Sequence, residues 1–336
     1  MNKILFFETE DWEKNYLKNQ LSGVDISFFD EKLSLDNIDL AKEAEIISVF
    51  TDSQITEEVL LKLPKLKMIA TRSTGFDHIN IEIAKKRKVA VCNIPTYGEN
   101  TVAEHTFALI LDLSRNIYKS VKRVKESGFQ ADGFRGFDLK GKTLGVVGLG
   151  HIGMHVARIA KGFDMNVLGF DVNQDKKLAK KLGFSYVSFE DLLKKSDIIT
   201  LHVPYNKYTH HLINSANIHL IKKGAYIVNT ARGGVVETSA LVSALESGLL
   251  AGAGLDVLEG ECDIKEESEI LTKGFDAKCD MRTMLQNHIL MERDNVIVTP
   301  HNAFNSKEAI QRILETTVLN IHSFIIRRPI NLVIAK

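Results

Sequence analysis

Short runs of aliphatic and β-branched residues alternate with segments of helical period along nearly the whole chain, as a parallel sheet covered by helices requires. In the first hundred residues the predicted strands are Lys3–Phe7, Ile46–Phe50, Lys67–Thr71 and Val89–Val91, with amphipathic stretches at Ile55–Leu63 and Ile79–Lys86 between them. A second series runs Thr143–Val147, Asn166–Phe170, Ile198–Leu201, Ala225–Asn229, Ala251–Asp256 and Val296–Thr299. The pattern predicts two doubly wound α/β units. Between them, Thr101–Lys125 predicts one long helix with Val102, Leu109, Leu113, Ile117, Val121 and Val124 on or near one face. Near the C-terminus, Asn305 and Glu308 read as a capping box for a helix carrying Ile310, Leu314, Val318, Ile321 and Ile325 up to Pro329. A helix of ~20 residues spans ~30 Å, enough to return to the first unit. The expected domains are therefore 1–99 with 302–336, and 100–301. The stretch Cys262 to Arg293 has no clear period and predicts a surface excursion.

Composition narrows the function classes. The chain has 336 residues, and roughly 150 residues per domain agrees with two domains. Lys plus Arg number 43 and Asp plus Glu number 43, so no basic excess favours a phosphate backbone and no nucleic-acid partner is expected. No apolar run approaches the ~20 residues of a membrane span. The opening apolar stretch meets Glu8, Glu10 and Asp11 too soon for a secretory signal, so a cytoplasmic location is expected. Cys92, Cys262 and Cys279 lack CxxC spacing, and His151 with His155 has no evident third ligand, so neither a disulfide framework nor a metal site is expected.

The strand Thr143–Val147 runs into Gly148-Leu149-Gly150-His151-Ile152-Gly153, and a helical segment follows. Gly148 suits the tight turn, Gly150 lets the backbone approach a pyrophosphate, and Gly153 permits close packing of a helix whose N-terminus faces that anion. The next strand ends in Asp171, eighteen residues after Gly153, where an acid binding ribose hydroxyls belongs. Val172, Asn173 and Gln174 follow with no arginine, which favours NAD over NADP. Tyr118 and Lys122 match the YxxxK spacing of another dehydrogenase class but precede the glycine loop, and read as solvated helix surface.

In open α/β sheets ligands bind beyond the carboxyl ends of the strands. Three reactive types follow strands here: Arg232 after Ala225–Asn229, Glu259 and Glu261 after Ala251–Asp256, and His301 after Val296–Thr299. A planar cation for a carboxylate and a proton donor with pKa near neutrality are what reduction of a 2-keto acid needs. In the first unit, Thr74 and Gly75 stand in a turn that is either an anion-binding nest or a structural turn with Asp77 as helix cap. Tyr97 either offers its phenol to substrate or packs the hinge.

These residues resemble the D-isomer-specific 2-hydroxyacid dehydrogenase family, most closely its lactate branch. The resemblance rests on Thr71-Arg72-Ser73-Thr74-Gly75-Phe76-Asp77-His78-Ile79, Val102-Ala103-Glu104-His105-Thr106, the glycine loop, Leu201-His202-Val203-Pro204, Asn229-Thr230-Ala231-Arg232-Gly233, Leu255-Asp256-Val257 and Thr299-Pro300-His301. It implies two doubly wound parallel-sheet domains, a Rossmann-type NAD domain and a flavodoxin-like substrate domain, with a cleft between them. It implies Arg232 as substrate-binding cation, Glu261 as the partner that elevates the histidine pKa, and His301 as acid/base. Implied cofactor contacts, beside the glycines, are His151, Ile152, Asp171, Val203, Pro204, Thr209, Thr230, Ala231 and Asp256. Implied substrate contacts are Thr74, Gly75 and Tyr97, and a homodimer through the NAD domain is implied. The expected reaction is reversible reduction of pyruvate, or a close 2-keto acid, to the D-2-hydroxy acid. Another 2-hydroxy acid (hydroxypyruvate-derived or branched-chain) and an NAD(H)-responsive binding protein are the alternatives. One departure bears on the substrate: Asn302-Ala303-Phe304-Asn305 replaces the Ala-Phe/Tyr-Tyr run usual after the histidine in the lactate branch.

Overall fold

The computed structural model describes residues 3–260 and 281–333. The chain divides after Tyr97 and again after Phe304 into a first unit, Met1–Tyr97 with Asn305–Lys336, and a second unit, Gly98–Phe304.

The first unit carries a five-stranded parallel sheet of β1 (Lys3–Phe6), β2 (Asp25–Phe28), β3 (Ile46–Val49), β4 (Met68–Thr71) and β5 (Ala90–Cys92), in the order β2-β1-β3-β4-β5. Its central strands are buried on both faces, so they read as continuous apolar runs. Successive side chains point to opposite faces. Leu5, Phe7, Ile47 and Ile69 pack toward α2 (Glu57–Leu61) and α3 (Ile81–Lys86), while Ile4, Phe6, Ile46 and Met68 pack with Leu17 of α1 (Asp11–Gln20). The second of these clusters is completed from the far end of the sequence by Leu314, Val318 and Ile321. Strand β2 escaped the hydrophobic pattern because it is a four-residue edge strand, half exposed, held to β1 by stacking of Phe28 on Phe6 and Phe29 on Phe7.

The second unit holds seven parallel strands: β6 (Thr143–Val147), β7 (Asn166–Phe170), β8 (Ser185–Tyr186), β9 (Ile198–Leu201), β10 (Ala225–Asn229), β11 (Leu250–Leu255) and β12 (Val296–Val298). Their order, β12-β11-β10-β9-β6-β7-β8, reverses direction between β6 and β9. That is the doubly wound arrangement, with its switch point beside β6. The predicted six strands are all present, and the two-residue β8 is an addition too short to leave a period. Helices α4 (Glu99–Arg115) and α6 (His151–Gly162) bury Phe107, Ile110, Val156 and Ala157 against Leu144 and Val146. Helices α8 (Phe189–Lys195) and α9 (Thr238–Glu246) bury Leu192, Leu193 and Leu241 against Val147, Ile199 and Ile227. A short α7 (Lys176–Leu182) precedes β8.

Three boundary expectations are corrected. The long helix breaks at Asn116, which takes a left-handed conformation between α4 and α5 (Ile117–Glu126). The Ser114 carbonyl, which a continuing helix would offer to Tyr118, instead accepts the Phe137 amide at 2.9 Å, and Tyr118 donates its amide to Asp112 Oδ1 at 2.8 Å. A returning loop has thus replaced a helical hydrogen bond. Within the expected excursion, Met281–Glu292 forms a helix, α10. The last helix, α11 (Lys307–Ile325), is capped by Ser306, whose hydroxyl accepts the Ala309 amide, and not by Asn305.

Candidate active site

The glycine turn is built as the spacing requires. Gly148 has a φ of +90°, and a Cβ there would lie 2.7 Å from the His202 carbonyl, so the turn presses on the chain leaving β9 at the switch point. A Cβ at Gly153 would meet the Gly148 oxygen at 2.0 Å, so only glycine lets α6 start this close to the turn. Gly150, the N-cap of α6, has nothing within 4 Å of such a Cβ. His151 and Ile152 open the helix, whose free first-turn amides suit an anion. Asp171 follows β7 and accepts the Leu149 amide at 2.7 Å and the Asn173 amide at 2.8 Å. Its carboxylate thereby fixes the glycine turn and retains lone pairs for hydroxyl donors. These groups fit a dinucleotide.

Beyond β9, Thr209 braces the loop that starts at Val203 and Pro204: its hydroxyl donates to the Pro204 carbonyl at 2.6 Å and accepts the Asn206 amide. Burial pushes His202 down to about 3, so its imidazole is neutral, bonded through Nε2 to the Thr200 hydroxyl. Its buried Nδ1 has no partner among the described residues.

The loops after β10, β11 and β12 are knit together. Asn229 holds the first by accepting the Ala231 amide and donating to the Arg232 carbonyl. A Cβ on Gly233 would lie 2.0 Å from the Leu258 carbonyl carbon, so the arginine loop touches the segment after β11. Glu259 in that segment is committed elsewhere: it accepts from the Thr238 hydroxyl at 2.8 Å and pairs with His211 Nε2 at 2.6 Å. Glu261 lies outside the described residues.

Asp256 is 1% exposed and organises the third loop. Its carboxylate accepts the Thr299 hydroxyl at 2.5 Å and the amides of Asn302 and Ala303, while its carbonyl accepts the His301 amide. His301 itself has a φ of +50°, a left-handed conformation uncommon outside glycine. Helix α4 reaches both loops with consecutive residues: Thr106 Oγ1 lies 3.0 Å from Thr230 Oγ1, and His105 Nε2 lies 3.1 Å from Thr299 Oγ1 and 3.3 Å from Asp256 Oδ1. Gly254 on β11 makes room for α4, since a Cβ there would lie 3.1 Å from Leu109 Cβ. His105 and Thr299 fall inside motifs visible in the sequence, but 194 residues separate them and no spacing rule pairs them.

In the first unit, Thr74 is exposed and donates its hydroxyl to the Ile94 carbonyl at 2.7 Å, while the Gly75 carbonyl accepts from Ser73. Helix α3 is capped by Asn80, not by Asp77. The neighbouring Arg72 is buried and donates to the carbonyls of Phe7 and Glu8 and the Ser48 hydroxyl, tying three strand ends together. The Tyr97 carbonyl accepts from Arg312 Nε of α11.

Comparison with known proteins agrees with this architecture. Residues 107–303 match the family model of the D-isomer specific 2-hydroxyacid dehydrogenase, NAD binding domain. The chain is 35% identical over 327 residues to 2-hydroxyacid dehydrogenase homolog 2 of Schizosaccharomyces pombe, covering 96% of each. It is 36% identical to the glyoxylate reductase of Thermococcus litoralis, covering 85% of this chain and 82% of that one. Among solved structures, the D-lactate dehydrogenase from Aquifex aeolicus complexed with NAD and lactic acid superposes with a TM-score of 0.86 at 40% identity, covering 97% and 96%. This chain therefore belongs to the D-isomer-specific 2-hydroxyacid dehydrogenases and is an NAD-dependent oxidoreductase of that family.

Proposed function

We propose that the chain catalyses reversible reduction of pyruvate, or a close small 2-keto acid, to the D-2-hydroxy acid. The observation that carries this reading is the linkage of the loops after β10, β11 and β12, which bear Arg232 and His301, at the strand ends of the NAD-binding sheet. Arg232 offers a planar fork to the substrate carboxylate. His301 gives a proton to the carbonyl oxygen in reduction and takes it back in oxidation. NAD, when bound, supplies the two-electron exchange at the carbon bearing that oxygen. Glu261, by resemblance, would hold the imidazole in its protonated form.

Thr74, Gly75 and Tyr97 are proposed substrate contacts. Gly148, Gly150, His151, Ile152, Gly153, Asp171, Val203, Pro204, Thr209, Thr230 and Ala231 are proposed contacts of the cofactor, as is Asp256. For Asp256 the carbonyl and carboxylate are already engaged by the His301 loop, so its contribution to cofactor binding is largely that of a brace. Pyruvate is favoured because the Aquifex relative, solved with lactic acid, matches nearly the whole chain, whereas the glyoxylate reductase matches less of it.

We also propose a homodimer through α5, where Ile117, Tyr118, Val121 and Val124 are each about half exposed on a helix with no buried residue. A stripe of that kind is suited to a second copy of the same helix. A cytoplasmic location is proposed as well. Among the described residues no helix is long and apolar enough to cross a membrane.

The test is a panel of pyruvate, glyoxylate, hydroxypyruvate and branched 2-keto acids, scored by kcat/KM with NADH and by chiral analysis of each product. Pyruvate should lead and yield the D-isomer. A tenfold preference for another acid, or an L-product, overturns the assignment.

A further inference from the structure

We propose that His105 is a positioning residue for the turn that carries His301, acting through Thr299 and Asp256. The inference rests on the proposed acid/base role of His301.

The direction of the hydrogen bonds fixes the argument. The Thr299 hydroxyl has one hydrogen, and it is donated to Asp256 Oδ1 at 2.5 Å. Thr299 Oγ1 can therefore only accept from His105 Nε2, 3.1 Å away, so that ring nitrogen carries a hydrogen. His105 Nε2 also lies 3.3 Å from Asp256 Oδ1, so its hydrogen is shared between the Thr299 hydroxyl oxygen and the carboxylate, and the three groups polarise one another. The same carboxylate accepts the amides of Asn302 and Ala303 at 3.0 and 2.9 Å. His301 thus sits between a clamp on its N-terminal side at Thr299 and two on its C-terminal side.

The left-handed backbone at His301 makes these clamps consequential. A non-glycine residue in that region is strained and persists only where its surroundings over-determine it. Of the three clamps, the hydroxyl of Thr299 is the one that can rotate, and His105 meets both its oxygen and the carboxylate that receives its hydrogen. Without His105 the hydroxyl and the carboxylate lose their shared donor, and the clamps on both sides of His301 loosen. Misplacement of a reacting group by ~1 Å can cost ~100-fold in rate. The glycine turn follows β6, separated from β12 by three strands in the sheet, and Asp256 serves the cofactor only as a brace, so cofactor affinity should change far less than turnover.

The experiment compares His105→Leu and His105→Gln with the parent enzyme. The leucine variant removes the donor, and the glutamine amide restores one near the position of Nε2. His105→Leu should lower kcat at least tenfold while the NADH dissociation constant, read by fluorescence, stays within twofold. His105→Gln should remain within threefold of the parent. Equal loss in the two variants overturns the proposal, as does a kcat for His105→Leu within threefold of the parent or a matching loss of NADH affinity. If His105→Leu does not fold, Thr299→Val poses the same question, with the same expected and contrary results. Amide exchange at Asn302 and Ala303 gives a readout independent of turnover. It should quicken at least fivefold in His105→Leu and not in His105→Gln, even if the parent reduces none of the acids offered, and unchanged exchange overturns the inference while leaving the proposed reaction standing.

Discussion

The Asp256 carbonyl accepts the His301 amide at 2.8 Å, and the Asp256 carboxylate accepts the two amides that follow. One buried residue thus sets the backbone on both sides of the proposed acid/base. The conformation is local in sequence but is imposed from a strand end more than forty residues away.

That arrangement has a pH signature. Burial alone would raise the Asp256 carboxyl pKa, but hydrogen bonds from His105, Thr299 and Ala303 outweigh it and hold it below the ordinary value. A carboxyl whose folded pKa lies below its unfolded value of ~3.9 contributes stability that is present above about pH 4 and lost as pH falls through the folded value. Asp256→Asn should cost about 3 kcal/mol at pH 7. In thermal melts, the gap between parent and variant should hold from pH 8 to pH 5 and narrow below pH 4. A gap independent of pH down to pH 3 would contradict the ionised form as the organiser.

His301→Gly and His301→Ala separate chemistry from backbone. Both remove the imidazole and should lower kcat by about 10²–10⁴. The glycine variant should be the more stable of the two by about 1 kcal/mol, because alanine retains the cost of a left-handed residue. Denaturant titration measures the difference, and equal stabilities would show that the turn carries no strain.

Gly150→Ala and Gly153→Ala should fail differently. Gly150 has open space at its Cβ position and a φ of −72°, so its alanine variant should melt within a few degrees of the parent yet bind NADH at least tenfold more weakly. In Gly153→Ala the new methyl meets the Gly148 carbonyl oxygen, so stability should fall together with binding. Melting curves and NADH titrations of the two variants suffice.

Val121→Asp places a charge in the exposed apolar stripe of α5. Light scattering should give twice the 37.6 kDa chain mass for the parent and the single-chain mass for the variant. A parent that is already a monomer would remove the dimer proposal.

The architecture and the chemistry on offer were legible in the order of residues alone. Parallel strands buried on both faces must be continuous apolar runs, so the central strands of both sheets could be located from periodicity, and the glycine spacing with Asp171 specified the nucleotide turn, because only residues without a Cβ allow backbone to pack on backbone there. Arg232 and His301 were legible as reactive types at strand ends. Edge strand β2 was not, since half-exposed residues leave no run of hydrophobic positions. The break at Asn116 was equally hidden, because the loop that takes the Ser114 carbonyl returns from residues 136–137. How the reactive groups are held came from the fold: which acid pairs with His211, which carbonyls Arg72 serves, and that His105, Thr299 and Asp256 meet beneath His301. Such pairings depend on strand order and helix docking, and hydrogen bonds between groups 43 to 194 residues apart in the chain have no period in the sequence to announce them.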